Sequence, residues 1–512
     1  VWTTVDACAD IITGNTPSKK DPSNYGDFLP LVKPPELTDG TVDDAPDKLS
    51  ENGAKLARIL PPESVLVSCI GILGKTGINS VPVAFNQQIN AAVFPSGISS
   101  RYGLYYFQSS EAKAWLNSVA SATTVTIVNK SKFQRTPFPL APICEQHRIV
   151  AEIETQFTRL EAGVAALKRA QAKLRRYKAA VLKAACEGRL VPTEAELARA
   201  EGRDYEPADV LLQRILAERR AKWEAENPGK KYKEPALPDT SDLPELPEGW
   251  VWASADELTS RITDGERITP ERAETGVLLL SARNIQNGHL SLEKVDFVPE
   301  RVYRVLSRRL LIEPGDVLMS CSGTVGRSCV APENLRFALV RSVAVLKPLA
   351  RMGSFLSYAI RSPLLQFQID EKKTQTAQAN IFQGKIKTLI FLLPPLAEQH
   401  RVVAEVERRL SVVAELDKQV EAALRRADRL RQAILKHAFA GKLVPQDPDD
   451  GPASVLLERI QAQRIAARGR GRVSGPRLEP VNHGYQSCRR AVITPLEGKP
   501  SSEAGMSRSI GP

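Results

Sequence analysis

The chain repeats itself. The segment ICEQHRIVAEIETQ beginning at Ile143 returns as LAEQHRVVAEVERR from Leu396, with Glu398 lying 253 residues after Glu145. The same spacing of 253 links Gly188-Arg-Leu-Val-Pro192 to Gly441-Lys-Leu-Val-Pro445. No gap intervenes between these anchors, and 18 of the 48 positions they bound are identical. An ungapped repeat of that length fixes two equal segments before any other feature is considered. Weaker echoes extend it. Val65-Leu-Val-Ser-Cys69 matches Val317-Leu-Met-Ser-Cys321 at a spacing of 252, Gly40 matches Gly288, and Pro207-Ala-Asp-Val-Leu-Leu matches Pro452-Ala-Ser-Val-Leu-Leu at 245. The chain is therefore expected to be a tandem duplication of one globular unit plus one long helix.

The long segments carry a heptad seam. Ile153, Phe157, Leu160, Val164, Leu167, Leu174 and Val181 alternate by four and three, with gaps at Gln171 and Lys178. The second copy gives Val406, Leu410, Val413, Val420, Leu424 and Ile434, interrupted at Asp417 and Arg431. Each ends at a Gly followed four residues later by a Pro, which is a stop signal. Forty-three residues from Glu145 to Glu187 rise to a rod of about 65 Å. A rod with one apolar seam needs a partner, and the other copy is the simplest: the two are expected to pair as an antiparallel coiled coil.

The globular parts are expected to be mixed α/β. Ser64–Ile70, Thr123–Val128, Val277–Leu280, Asp316–Ser320 and Ser342–Leu346 read as strands, and the surroundings of Trp115 as a short helix. The expected order is a first globular domain over 1–142, a first long helix over 143–192, and a short helical segment with a Pro-rich linker over 193–244. A second globular domain over 245–395 and a second long helix over 396–445 follow, then a short helix and a disordered tail over 446–512.

Charge permits a polyanionic partner without proving one. The net charge is +11, and the densest excess, 10 basic against 5 acidic residues, falls over 145–192. Seven scattered cysteines with no CxxC pair argue for a reducing interior, and no apolar run reaches the roughly 18 residues of a membrane span, so the cytoplasm is expected. The first residues carry neither a Met nor the pattern of a secretory signal, and a start trimmed of an edge strand is expected.

No catalytic constellation and no metal site is expected. Gly71-Ile-Leu-Gly74-Lys75-Thr76 falls two residues short of a phosphate-binding loop, and its repeat, Gly323-Thr-Val-Gly326-Arg327-Ser328, favours a structural turn or a DNA-facing loop over a nucleotide site. Glu111-Ala-Lys113 and Glu371-Lys-Lys373 have a nuclease-like spacing but no strand-borne Asp ahead of them. Arg or Lys can bond guanine and Asn or Gln can bond adenine, so polar clusters beside turns are the candidates for DNA contact. In the first half these are Thr16, Ser18, Lys19, Lys20, Lys33, Lys75, Asn129, Lys130 and Lys132. In the second half they are Arg283, Asn284, Gln286, Ser322, Thr324, Arg327, Gln375, Gln378 and Asn380. A stand-alone nuclease and a coiled-coil scaffold without DNA affinity are the rival classes.

The repeated EQHRIVAEIE and EQHRVVAEVE, each after a Pro-rich turn and each heading a helix closed by GRLVP or GKLVP, resemble the helices of type I restriction-modification specificity subunits. IITGNTPSKKDPSNYGDFLPLVKP from Ile11 resembles the start of a target recognition domain of that family, and LPEGWVW, PGDVLMSCSGTVGR and NKSKFQRTPFPL are similar to other parts of it. The likeness covers about residues 1–465; the tail beyond departs from the family pattern. The resemblance implies a non-catalytic reader of double-stranded DNA. Its two recognition domains would each read half of a bipartite, asymmetric site, with the helices as a ruler. It also implies docking of two methyltransferase subunits that use S-adenosylmethionine, and of translocase-endonuclease subunits that use ATP and Mg²⁺.

Overall fold

The computed structural model describes residues 1–470 apart from 123, 124, 236, 242, 267 and 375–378; side chains of 122 and 466–470 are also left aside. Two compact units emerge. The first holds Val1–Val164 and the chain from Arg425 onward, and the second holds Ala165–Leu424. Each unit thus contains one globular domain together with part of each long helix.

The long helices are Ile143–Cys186 and Leu396–Phe439, 44 residues each. Their ends are built alike. Gln146 donates its side-chain amide to Ala141 O at 2.8 Å, and Gln399 does so to Pro394 O at 2.9 Å. At the other end Arg189 N bonds Ala184 O and Lys442 N bonds His437 O, both at 2.9 Å, across a left-handed Gly188 or Gly441. These contacts satisfy donors and acceptors that a helix terminus leaves open.

In both units the two helices run antiparallel. Arg431 meets Glu161 at 3.2 Å in the first unit and lies over the Phe157 ring at 4.1 Å. In the second unit Lys178 Nζ donates to Asp417 Oδ2 at 2.5 Å. The residues that interrupt the two apolar seams therefore face one another: Lys178 of one helix meets Asp417 of the other. Toward the helix ends Ile153, Phe157, Val181, Val406, Val413 and Ile434 are buried. Leu160, Val164, Leu167, Leu174, Leu410, Val420 and Leu424 are half-buried.

A polar pair inside an apolar seam sets register at a cost in stability. With side chains 39% and 23% exposed, the attraction is worth less than about 1 kcal/mol. Asp417 Oδ1 is moreover buried without a hydrogen-bond partner among those described. Replacing both residues by leucine is therefore expected to raise the thermal unfolding midpoint, whereas Asp417→Ala alone changes it little. Calorimetry on the two variants reads the difference.

The globular domains repeat one plan. In the first, a central antiparallel sheet has the order Asp10–Thr13, Ile89–Val93, Val65–Ser68, Thr76–Ile78. In the second, the order is Thr259–Asp264, Val343–Pro348, Val317–Ser320, Ser328–Val330. The strands Val65–Ser68 and Val317–Ser320 are buried on both faces, which is why they read as continuous apolar runs and not as alternating ones. A second sheet in each domain contains one parallel pair, Tyr25–Val32 with Val83–Phe85 and Val277–Leu280 with Phe337–Leu339. A further strand pair, Trp2–Thr4 with Pro137–Pro139 and Val251–Ser254 with Ile390–Leu393, leads from each domain into its long helix. Trp115 sits on the helix Ser110–Val119; of the expected strand over 123–128, Thr126–Ile127 pairs with Ser121–Ala122, and residues 123 and 124 lie outside the described residues.

Packing crosses the linear order of the segments. In the second unit the closing part of the first long helix (Val181, Leu182, Ala185) and the helix Ala208–Glu226 (Leu211, Ile215) share a core with Phe355, Leu389 and Phe391 of the second domain. In the first unit Ile434, Leu435 and Phe439 of the second long helix, with Ile460 of the helix Ala453–Arg470, share a core with Tyr102, Tyr106 and Phe138. The short helix after each long one thus belongs with the other copy's domain. The helix Ala453–Arg470 is the short helix expected in the segment 446–512; residues 471–512, where the disordered tail is expected, lie outside the described residues.

Candidate nucleic-acid interface

The Gly-rich motifs are hairpin turns, built identically in the two domains. Ser68 Oγ donates to Ile72 O at 2.6 Å and accepts from Lys75 N at 2.9 Å. Ser320 Oγ donates to Thr324 O at 2.6 Å and accepts from Arg327 N at 3.0 Å. Gly74 and Gly326 adopt φ of +75° and +88°, which side-chain-bearing residues rarely reach, so the glycines serve the turn and no phosphate need be invoked.

Each turn is docked on the same second segment. Gly71 N donates to Thr126 O and Val128 N to Cys69 O; in the other domain Gly323 N donates to Ala379 O and Ile381 N to Cys321 O. A third element joins them, since Cys69 N reaches Gln88 O and Cys321 N reaches Ser342 O, each at 2.8 Å. The turn, the segment 126–130 or 379–383, and the chain entering the last central strand at 86–88 or 340–342 therefore form one loop cluster per domain.

The candidates from sequence distribute unevenly over these clusters. Lys75, Asn129 and Lys130 belong to the first, with Asn129 and Lys130 exposed. Asn129 also caps the helix Lys130–Gln134, accepting from Lys132 N at 2.9 Å, and Lys132 Nζ donates to Ser121 Oγ at 2.6 Å. Thr16 reaches the cluster through Gln87, to which its hydroxyl donates at 2.9 Å. Ser322, Thr324, Arg327 and Asn380 belong to the second, with a backbone bridge between Ser322 and Asn380. Arg327 Nη1 donates to Gln286 Oε1 at 3.1 Å, which draws Gln286 in. Gln375 and Gln378 lie outside the described residues.

Other candidates stand apart. Lys19 and Lys33 both converge on Asp47, whose carboxyl is held below the usual range chiefly by the hydrogen bond from Lys33. Ser18 accepts from Lys20 N at 3.3 Å, and both residues are exposed beside that pair. Arg283 is paired with Asp296 at 2.9 Å. Asn284 requires a correction. It is 2% exposed, donates to Ser291 O and Lys294 O, and accepts from Ser281 N, so its amide is spent on the loop and has nothing left for a base edge.

The structure adds residues that sequence reasoning passed over. Gln87 and Arg341 occupy matching places, 254 residues apart, and both are exposed. Gln383 donates to Asp264 Oδ1 at 2.5 Å beside a cavity of about 510 Å³ that Ser322, Arg341 and Asn380 also line. Their only signal was the repeat spacing, which places them opposite the Gly turn. Among the described residues no three or more His, Cys, Asp or Glu side chains stand where they could hold a metal ion. Glu371 is exposed, and Lys373 pairs with Asp370.

Two domains of one fold, each carrying the same loop cluster and each packed with parts of both long helices, define a duplicated architecture. Residues 5–167 match the family described as the type I restriction modification DNA specificity domain. The chain is similar along most of its length to the type I restriction enzyme EcoBI specificity subunit of Escherichia coli, 24% identical over 485 residues that cover 91% of this chain and 92% of the relative. It is likewise 24% identical over 497 residues to the EcoKI specificity subunit of Escherichia coli strain K12, covering 91% and 96%. A chain from a solved structure described as "Structural basis underlying complex assembly and conformational transition of the type I R-M system" shares the fold at a TM-score of 0.60 and 18% identity, covering 86% of this chain and 98% of that one. The likeness to type I restriction enzyme specificity subunits therefore runs through both halves of the chain.

Proposed function

We propose that this chain is the DNA-reading subunit of a type I restriction-modification complex, without catalysis of its own. Each loop cluster enters the major groove at one half of a bipartite site, while the helix pair sets the gap between halves. The observation that carries this reading is that one backbone frame recurs with different chemistry. Lys75 stands where the other domain has Arg327, Gln87 where it has Arg341, and Lys130 where it has Gln383. A common frame with different donors and acceptors suits two unlike half-sites. Target adenines would be flipped and methylated by partner subunits that bind S-adenosylmethionine. Translocase-endonuclease subunits would bring ATP and Mg²⁺. The compartment would be the cytoplasm; no helix among the described residues is long and apolar enough to cross a membrane.

The test is methylome sequencing of cells that express the chain with and without its cognate methyltransferase. A split, asymmetric N6-methyladenine motif present only with both is the expected result. No motif, with the methyltransferase active on another reader, overturns the proposal. At finer grain, Lys75→Ala is expected to weaken binding at one half-site and Arg327→Ala at the other. Each would lower affinity about 5- to 10-fold and reduce the salt slope by about 1, as read by titration at several salt concentrations.

A further inference from the structure

The two globular domains differ most in one helix. In each domain it follows the strand that pairs antiparallel in the second sheet and precedes the buried central strand. In the first domain this helix is Glu51–Leu56, with Lys55 as its one basic residue. In the second it is Glu300–Arg309, with Arg301, Arg304, Arg308 and Arg309 against the single acid Glu300. The longer helix has two distinct sides. Val302, Tyr303 and Leu306 pack on the core of Leu279, Val298 and Ala338. Arg301, Arg304, Val305 and Arg308 recur at helical spacing and are all exposed, so they share the outer face.

Stability does not account for that face. The helix dipole favours cations in the last turn, which suits Arg308 and Arg309, but Arg301 sits in the first turn, where the dipole opposes it. Arg304 and Arg308 are four residues apart, a spacing at which like charges repel. Carboxylates are too few to answer them all. Glu271 takes Arg301, Glu266 takes Arg309, and Glu300 is shared between Arg336 at 2.9 Å and Arg304 at 3.6 Å. Arg308 has no ion-pair partner among the described residues. The helix also abuts the second loop cluster. Arg309 Nη2 donates to Asp264 O at 3.3 Å, while Gln383 donates to Asp264 Oδ1 at 2.5 Å. Two residues on, Glu266 O accepts from Arg341 N at 2.9 Å and its carboxylate meets Arg309 at 3.2 Å. The segment 264–266 is thus bonded both to the cluster residues Gln383 and Arg341 and to the end of the arginine helix.

We propose that the outer face of Glu300–Arg309 is a phosphate clamp: Arg304 and Arg308 hold the backbone of duplex DNA next to the bases that the second loop cluster reads. The inference rests on the DNA-reading function proposed above and adds an asymmetry to it. The second domain grips the backbone through this helix, and the first domain, with Lys55 alone at the matching place, does not. Guanidinium groups donate from a planar fork that fits phosphate oxygens. Such contacts carry no sequence information, so the clamp sets affinity and leaves the motif to the loops.

The double variant Arg304→Gln/Arg308→Gln, assembled with its cognate methyltransferase, tests the clamp on a duplex carrying the motif that methylome sequencing defines. Titration at several salt concentrations is expected to show affinity reduced at least about 10-fold and the salt slope lowered by about 2. The methylated motif is expected to stay the same. Arg304→Lys/Arg308→Lys keeps both charges and is expected to keep the wild-type slope. Phosphate ethylation interference is expected to lose its signals beside the half-site that Arg327→Ala weakens and to keep those beside the other. A glutamine variant with the wild-type slope, or with its lost signals beside the other half-site, overturns the clamp and leaves DNA reading in place. A changed motif overturns it too, since these residues would then read bases. So does a lysine variant that falls as far as the glutamine one, because helix damage and not charge would be the cause. If the wild-type complex binds no such duplex, the DNA-reading function falls and the clamp falls with it.

Discussion

Exchanging residues 1–142 for the matching domain of another specificity subunit is expected to change one half of the methylated motif completely and leave the other half and the gap intact. The expectation rests on how each unit is built. The first domain's loop cluster draws its turn, its docking segment and its third strand entry from residues 68–130, so the base contacts proposed for it would travel with the exchanged segment. On the proposed reading the gap is set by the two helices of 44 residues, which the exchange leaves in place. Methylome sequencing reads the outcome. A motif altered in both halves would mean that the domains do not read independently. An unchanged motif would mean that the loops do not read at all, and the scaffold reading would replace this one. The exchanged domain must keep an apolar face for Phe439 and Ile460, because these belong to its core.

The second large effect is expected at Glu398. Its carboxylate accepts from a backbone amide and an indole in a wholly buried place, while the adjoining Glu194 is held by Arg401 and Arg203 at 2.6 Å each. Glu398→Ala strands two buried donors and is expected to cost about 3 kcal/mol. Hydrogen exchange at the Glu194 amide and at the Trp250 indole should rise accordingly, and unchanged protection of both would refute the assignment. Glu398→Gln keeps one acceptor oxygen and is expected to lose roughly half as much. The pH dependence has a definite sign. Burial raises the folded carboxyl above its usual value, so the ionised form is the one that folding disfavours. The contribution of this group to stability is therefore greatest below the ordinary glutamate range and falls as pH climbs through the raised folded value. Glu398→Gln is expected to flatten that slope.

Much of the molecule was legible from the repeat. An ungapped spacing of 253 forces equal helices, because any insertion in one would rotate its seam by about 100° per residue relative to the other. The Gly turns were legible as structural for a similar reason: a feature present in both copies answers to the backbone they share. The strand Val317–Ser320 stood out because burial on both faces demands continuous apolar side chains. Asn284 was misread because residue type alone cannot distinguish an amide free to meet a base from one spent on three backbone partners.

What the sequence determined by itself was therefore one-dimensional: the duplication, the helix lengths, the seam and the class of each domain. These follow from periodicity and local propensity, which act over a few residues. Only the tertiary structure decided which parts share a core. Residues 181–215 pack on the second domain, and residues 434–460 on the first. It also showed Lys178 answering Asp417 across the two seams, and Glu398 satisfied by Trp250. Such pairings join residues 148 to 302 positions apart, as Trp250 with Glu398 and Arg148 with Asp450 do. At that range no local pattern carries information about the partner; the burial of apolar area and the need to satisfy each buried polar atom select it only once the chain has closed.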